Sequence, residues 1–268
     1  MSINKKLAFT LAEVLITLGI IGIVAVMTIP GLMNKYQEIV TINKLKQTYS
    51  ILSQGFHSMV SEYGTIDGWG NSSDERLMYT YKIFPQYFKV TEFCSSHWKS
   101  WDGKKFCPDD IRYYIYSREL SRMTGTINTG INARLHNGVI VNILYSGNCI
   151  QNRAMNKKGP GEMPTMTLYY GTYMHGCGEI LVDINGNSGD KRNITSKDVF
   201  MFKIVTDGII PAGSQKENVW LETFNDACLK EGHIQTRCTS WVLENGNMDY
   251  LRCPEKLGWD KARSCSGK

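Results

Sequence analysis

The chain begins with a long apolar run that is flanked on both sides by polar residues. From Val14 to Met33 the sequence contains no charged residue. A helix of about 20 residues, rising about 1.5 Å per residue, is as long as the hydrocarbon core of a bilayer is thick. The pattern therefore predicts a membrane-spanning helix over residues 14–33.

A second apolar pattern follows this run, and it has the period of an amphipathic helix. Its apolar positions are Leu45, Tyr49, Leu52, Phe56, Met59 and Tyr63. Gly64 is a typical residue for the end of a helix. Pro30 and Gly31 interrupt the pattern, and proline favours a kink because it removes one backbone hydrogen bond. We expect one helix over residues 9–63, with its distal half packed on a globular domain.

Beyond residue 138 the pattern changes to that of β-strands. Four runs rich in β-branched and aromatic residues are Val139–Tyr145, Thr165–Tyr170, Glu179–Ile184 and Val199–Val205. Such runs, separated by Gly, Asn and Pro, predict an antiparallel sheet of about four strands. Over residues 65–135 the pattern does not decide between helix and strand. A long helix packed on an antiparallel β-sheet is an α+β fold.

All of the cysteines lie in the part of the chain that follows the predicted helix. They are Cys94, Cys107, Cys149, Cys177, Cys228, Cys238, Cys253 and Cys265. An even number of cysteines confined to this part indicates a disulfide framework in an oxidising compartment. Eight cysteines allow roughly a hundred sets of pairings, so the sequence does not assign them. A local pair such as Cys94 with Cys107 is one expectation.

Composition and motifs narrow the function class. The 268-residue chain has 30 basic and 25 acidic side chains, and this mild, scattered excess does not indicate nucleic-acid binding. The five histidines match no zinc-protease pattern, and the sequence has neither a nucleophile elbow nor a phosphate-binding glycine loop. His175 and Cys177 could form a Cys–His pair, but a disulfide is the favoured role of an exported cysteine. We therefore do not expect an enzyme.

One loop has the side chains of a possible calcium site. Its oxygen-bearing residues are Asp183, Asn185, Asn187 and Asp190, with Asp198 further along the chain. Alternating carboxylates and amides over a glycine turn suit Ca²⁺, although Ile194 stands where an EF-hand has its last carboxylate. The favoured alternative is a hairpin turn in which Asp183 binds nearby backbone amides. No other cofactor is expected.

The last part of the chain combines cysteine with tryptophan. Trp220, Trp241 and Trp259 lie among the last four cysteines. Residues 216–268 therefore predict a disulfide-stapled C-terminal appendage. We favour tryptophans that fill a small core, and the alternative is a recognition surface for cargo, glycan or nucleic acid.

The residues before the apolar run form a distinct motif. Residues 1–8 make a short leader with two lysines that ends in the small residue Ala8. The lysines favour a cytoplasmic N-terminus, and the small residue precedes the apolar run, whereas in a secretory signal peptide it follows. Glu13, the fifth residue counted from Phe9, places an ionisable group at the membrane edge, where it needs a partner.

This motif resembles the N-terminus of type IV pilins and of type II secretion pseudopilins, over about residues 5–40. The resemblance implies that a prepilin peptidase cuts between Ala8 and Phe9 and methylates the new N-terminus. The family usually has glycine at the position of Ala8. Glu13 would then pair with the Phe9 ammonium of a neighbouring subunit, which offsets the desolvation of both charges.

The family resemblance also implies a function and a location. It indicates a structural subunit that polymerises through its N-terminal helix, and we favour a type II secretion pseudopilin. The alternative is a type IV pilin, such as a minor pilin, that serves adhesion, motility or DNA uptake. A second alternative is a signal-anchored exported binding protein that does not polymerise. The expected location is the bacterial inner membrane, with one span, a cytoplasmic N-terminus and a periplasmic domain, or a surface filament.

The same resemblance implies partners and a domain organisation. The partners are copies of the chain or other pilin-like subunits, the prepilin peptidase, an inner-membrane assembly platform and membrane lipid. The predicted parts are a leader over residues 1–8, the helix over 9–63, a pilin-like α+β domain over 64–215 and the C-terminal segment over 216–268.

Overall fold

The computed structural model contains two compact units that share one long helix. It describes residues 10–69, 78–95, 113–116, 123–127, 131–150, 176–186, 193–214, 224–229 and 237–267. The first unit is Met1–Val40 and the second is Thr41–Lys268. The shared helix, α1, extends over Leu11–Tyr63.

The two ends of α1 follow from local chemistry. At its C-terminus Gly64 adopts a left-handed φ of +80° and its N–H donates to the Val60 carbonyl at 2.9 Å. This geometry closes the last turn, as expected for a glycine C-cap. The helix passes through Pro30 without interruption. The predicted end at Tyr63 is confirmed, and the predicted start at Phe9 lies outside the described residues.

The distal half of α1 buries the predicted apolar stripe. Leu45, Leu52, Phe56 and Met59 are fully buried, and Tyr49 stacks on Phe202 with ring centroids 5.4 Å apart. Tyr63, at the helix end, is partly exposed. The 3.6-residue period of the sequence therefore identified the face that packs on the sheet.

The described strands form two sheets. They are β1 Val90–Ser95, β2 Tyr113–Tyr116, β3 Met123–Ile127, β4 Ile131–Leu135, β5 Ile140–Ile150, β6 Gly176–Asp183, β7 Asn193–Ile194, β8 Val199–Val205 and β9 Gly208–Pro211. A six-stranded antiparallel sheet has the order β1-β4-β5-β6-β8-β9. A three-stranded sheet has the order β3-β2-β7, with β2 and β7 parallel. The α+β fold with a long N-terminal helix on an antiparallel sheet is confirmed.

The large sheet has more strands than the sequence indicated. Three predicted strands correspond to β5, β6 and β8, and the predicted strand Thr165–Tyr170 lies outside the described residues. Two of the additional strands, β1 and β4, lie within residues 65–135, where the pattern did not decide between helix and strand. The third, β9, is only four residues long and has Gly208 and Pro211 at its ends, and both residue types lower strand propensity.

The C-terminal segment belongs to the main core. A short helix over Thr239–Asn245 places Trp241 against Phe224, with stacked rings 4.1 Å apart. Trp259 packs on Trp241, with ring centroids 5.2 Å apart. Trp241 is fully buried in the same apolar cluster as Phe56 of α1. The described tryptophans thus fill a core, as favoured above, and Trp220 lies outside the described residues.

Candidate functional site

The proximal part of α1 is the most apolar surface that the structure describes. Within the described residues, one helix is long and apolar enough to cross a membrane, with a mean hydropathy of 2.4 over its most apolar window of 18 residues. None of that window is buried inside the protein. A helix from a protein core would be covered by other elements, and this one is not. Lipid or another helix is the kind of surrounding that such a segment requires.

Polar side chains within the apolar run are satisfied by their own helix. The Thr17 hydroxyl donates to the Val14 carbonyl at 2.9 Å, and the Thr28 hydroxyl donates to the Val24 carbonyl at 2.8 Å. Such back-bonding removes the cost of taking a hydroxyl out of water. These threonines are therefore compatible with an apolar environment.

Glu13 is part of a capping box at the start of α1. Its Oε2 accepts hydrogen bonds from the backbone N–H and from the hydroxyl of Thr10, each at 2.8 Å. In return the Glu13 N–H donates to the Thr10 hydroxyl oxygen at 3.2 Å. This reciprocal pattern is the S/T-x-x-E box, which satisfies backbone donors that a helix N-terminus leaves unpaired. Ala8 and Phe9, the residues of the predicted cleavage, lie outside the described residues.

Thr10 belongs to this site, and the sequence analysis did not identify it. The signal was present, since Thr10 and Glu13 have the required spacing directly before the apolar run. Within the described part of the chain, the second carboxylate oxygen of Glu13 has no hydrogen-bond partner. A carboxylate can accept several bonds, so one oxygen can hold the cap while the other stays available.

The loop that follows β6 uses Asp183 as a turn-forming residue. Its Oδ1 accepts from the N–H groups of Asn185 and Gly186 at 3.1 and 3.2 Å, and its Oδ2 accepts from the side-chain amide of Asn193 at 3.0 Å. Burial raises the pKa of Asp183 to about 6, against the hydrogen bonds from Asn193, Gly186 and Asn185, which lower it. These contacts match the turn that was favoured above.

The calcium site remains a prediction. Asp198 Oδ2 accepts from the Ile194 N–H at 3.2 Å, while Asn187 and Asp190 lie outside the described residues. Among the residues that are described, no three His, Cys, Asp or Glu side chains are grouped so that they could hold a metal ion.

Two disulfides staple the C-terminal segment. They join Cys228 to Cys238 and Cys253 to Cys265. Cys177 is also disulfide-bonded, which supports the disulfide role over a Cys–His pair. The predicted Cys94–Cys107 pair and the pairing of Cys149 lie outside what the structure describes.

Charged side chains are buried on the sheet away from the apolar stripe of α1. Glu179 of β6 lies directly across from Lys203 of β8, and both are almost fully buried, as is Arg237. Burial raises the pKa of Glu179, whereas the positive charges of Arg237 and Lys203 lower it. The sheet thus buries an acidic and a basic side chain directly across from each other.

Comparisons with protein-family models, with curated proteins and with solved structures found no match to this chain.

Proposed function

We propose that this protein is a pilin-like structural subunit that polymerises through its N-terminal helix. The observation that carries the proposal is the exposed apolar run of α1, which has one carboxylate, Glu13, in the first turn of the helix. The same helix continues into an α+β domain whose described cysteines are disulfide-bonded. A subunit of this kind acts by assembly, with the apolar helices packed together in the filament core.

Within this class we favour a type II secretion pseudopilin. The large, cysteine-rich domain favours a specialised minor subunit over one built only to extend a long fibre. The alternative is a minor type IV pilin, which would use the same anchor for adhesion, motility or DNA uptake. Both alternatives place the anchor in the bacterial inner membrane and the domain in the periplasm or on a surface filament.

The capping box gives Glu13 two roles in this proposal. In the isolated subunit one carboxylate oxygen holds Thr10 and completes the helix N-terminus. Cleavage after Ala8 would create an ammonium group on Phe9, and the other oxygen of Glu13 could bind that group on a neighbouring subunit. Pairing of opposite charges in an apolar surrounding fixes the register between helices, because an unpaired charge there is costly.

Processing at Ala8 separates this proposal from a signal-anchored protein that does not polymerise. The expected mature chain begins at Phe9 and carries one extra methyl group on its amino terminus. Mass spectrometry of the intact protein extracted from membranes measures both features. A mass that corresponds to a chain beginning at Met1 would refute the proposal.

Three substitutions separate the charge of Glu13 from its capping role. Glu13→Ala removes both, Glu13→Gln keeps a residue that is suited to the capping box but removes the charge, and Thr10→Ala weakens the cap but keeps the charge. Assembly is measured as the ladder of oligomers after chemical cross-linking of membranes. We expect both Glu13 variants to lose the ladder and Thr10→Ala to retain it.

Membrane insertion of all three variants serves as the control. Each variant should resist alkaline extraction as the unsubstituted protein does, because the apolar run is unchanged. If Glu13→Gln assembled normally, the ion pair would be ruled out as the role of the carboxylate. A normal ladder from Glu13→Ala would remove any role of this residue in assembly.

A further inference from the structure

Two apolar side chains remain exposed at the C-terminal end of α1. Among the described residues of the second unit, Tyr63 and Met78 are the most exposed large apolar side chains, at 39% and 38%. Met78 directly precedes Tyr79, whose ring meets the Tyr63 ring edge to face, with centroids 5.9 Å apart. The Tyr87 ring contacts Tyr63 in the same way at 6.3 Å, and Trp69 stacks on Tyr79 at 5.2 Å. Tyrosine and methionine are enriched in protein–protein interfaces, so this group has the composition of a contact surface.

Carboxylates flank these apolar side chains. Glu62 accepts a hydrogen bond from the Tyr87 hydroxyl. A backbone hydrogen bond of 2.9 Å, from the N–H that precedes Asp67 to the carbonyl that precedes Asp207, joins the loops of two more carboxylates. We call this surface the acidic end, and it comprises residues 61–69, 78–83 and 206–208. These residues include three carboxylates and one basic side chain, Lys82.

Three loops meet where α1 enters the second unit. Lys44 Nζ donates to the Ile184 carbonyl at 3.5 Å, and the Asn137 side-chain amide donates to the Thr48 hydroxyl oxygen at 3.2 Å. The Ile184 N–H donates to the Asp198 carbonyl at 2.9 Å, which adds the turn before β8. The loops after β4 and β6 and the turn before β8 thus lie together at this end of the large sheet.

This end carries mainly positive charge. We call it the basic end, and it comprises residues 43–47, 134–138, 183–186 and 195–198. Lys46 and Lys197 are exposed, and Arg134 is paired with Glu92 at 3.7 Å. The basic side chains of this end are Lys44, Lys46, Arg134 and Lys197. Its two carboxylates, Asp183 and Asp198, accept hydrogen bonds from backbone N–H groups.

The exposed charges of the two ends are too far apart to pair within one copy. Lys46 and Glu62 lie on the same helix and are separated by about 24 Å, at 1.5 Å per residue. Lys197 and Asp207 flank β8, whose seven residues span about 23 Å. Both distances exceed the screening length of roughly 8 Å at physiological ionic strength. A second copy placed end to end would offer each of these charges an opposite one.

We propose that the acidic end of one copy binds the basic end of the next copy, with Tyr63 and Met78 at the centre of the contact and ion pairs at its rim. Glu62 and Asp207 pair with the exposed lysines of the basic end. The apolar centre supplies most of the binding energy, whereas the opposite charges select the orientation and the register. The inference rests on the proposed function, because assembly through α1 brings the two copies together.

A zero-length cross-linker tests this contact in the unsubstituted protein. A water-soluble carbodiimide joins a carboxylate to a lysine amine only where the two groups touch. In membranes that contain the full-length protein, it should link Glu62 or Asp207 to Lys46 or Lys197, as identified by mass spectrometry of the cross-linked peptides. Such a link joins two copies, because these groups are far apart within one copy. Oligomers that contain none of these links would overturn the inference and leave the proposed function standing, whereas a protein that forms no oligomers would refute both.

Charge reversal at the two ends provides matched variants. Glu62→Lys with Asp207→Lys should abolish the oligomers, and so should Lys46→Glu with Lys197→Glu, because each change places like charges across the contact. The chain that carries all four substitutions should regain the oligomers, since opposite charges then face each other again. Light scattering in a mild detergent measures oligomer size, and tryptophan fluorescence during urea unfolding checks that each variant is folded.

Two results of this series would overturn the inference. One is loss of the oligomers in the basic-end variant alone, which would show that the lysines bind another partner, such as anionic lipid. The other is a folded chain with all four substitutions that does not regain the oligomers.

Discussion

The two halves of α1 belong to one continuous helix but satisfy opposite requirements. Along residues 11–40 the large apolar side chains are exposed, with Leu18 at 61% as an example. Along residues 41–63 the apolar side chains form one stripe, and Leu52 on that stripe is fully buried. Between Val14 and Met33 the first half is apolar on all sides, whereas the second half is apolar on one side only. A helix that is apolar on all sides suits apolar surroundings, whereas a helix with one apolar side suits the surface of a domain.

The length of α1 and its hydrophobic pattern carry separate information about the surroundings of the helix. Continuity of α1 through Pro30 shows that the backbone does not mark the change of environment. The side chains mark it, because Lys46 and Gln47 lie on the exposed side of the distal half, whereas the proximal half has no charged residue between Val14 and Met33. Substitutions in the two halves should therefore have different consequences.

The largest expected effect comes from one substitution made in each half. Leu52→Ala should lower the free energy of unfolding of the second unit by about 2–5 kcal/mol, because it leaves a cavity in a closely packed core. Leu18→Ala should change it by less than about 0.5 kcal/mol, since that side chain belongs to the first unit and is largely exposed. All six tryptophans lie beyond residue 68, so their fluorescence during urea unfolding in detergent reports on the second unit alone.

Equal destabilisation by these two leucine variants would contradict the comparison. It would mean that the proximal half contributes to the stability of the second unit. A cross-linking assay of the same two variants measures assembly in place of stability. Leu18→Ala alters a surface that we propose packs between subunits.

The distal stripe was predictable because its period is long and regular. Burial of Leu45 through Met59 follows directly from the spacing of apolar residues. Gly55, in contrast, lies on the buried face without an apolar side chain, because the Phe88 ring fills its place. Such a close approach depends on a residue far away in sequence, and a local pattern does not contain it.

The large sheet gives a second case of burial that a local sequence pattern does not contain. The apolar runs predicted strands at β6 and β8, and a charged side chain in such a strand would normally face water. Glu179 and Lys203 lie directly across from each other on these strands, yet both are buried. The strands were readable in the sequence, but the cover over these two side chains depends on contacts between distant segments. The capping box of Glu13 is a different case, because the spacing of Thr10 and Glu13 is local and was readable in the sequence.

The next largest effect concerns the pH dependence of stability through Asp183, in the loop that follows β6. The distal half of α1 contacts this loop through Lys44, whose Nζ lies 3.5 Å from the Ile184 carbonyl oxygen. Asp183 has a pKa of about 6 in the folded protein and an ordinary value of 3.8. Its contribution to stability is therefore full below about pH 4 and is lost as the pH rises through about 6. By linkage it amounts to up to about 3 kcal/mol. Urea unfolding at a series of pH values measures this loss.

Asp183→Asn should remove this part of the pH dependence while an amide oxygen keeps the bonds to the Asn185 and Gly186 amides. The difference between the protein and the variant isolates Asp183 from Glu179, whose pKa is also raised by burial. A chelator present throughout excludes bound cations. An identical pH dependence in both proteins would contradict this role.

A separate experiment addresses the predicted calcium site. A melting temperature that is the same with calcium and with chelator would argue against that site.

The smallest expected effect comes from adding one methyl group to a glycine in each half of α1. A Cβ atom at Gly55 would lie 2.4 Å from the Phe88 ring, which is held between Phe56 and Phe84, whereas a Cβ atom at Gly22 would meet nothing within 4 Å. Alanine favours a helix over glycine by about 1 kcal/mol, and overpacking costs about 1–3 kcal/mol. We therefore expect Gly55→Ala to lower the unfolding free energy of the second unit by about 1 kcal/mol and Gly22→Ala to leave it unchanged. Stabilisation by Gly55→Ala would show that the Phe88 ring can move aside, and that the core against the distal half is less tightly packed than the contacts indicate.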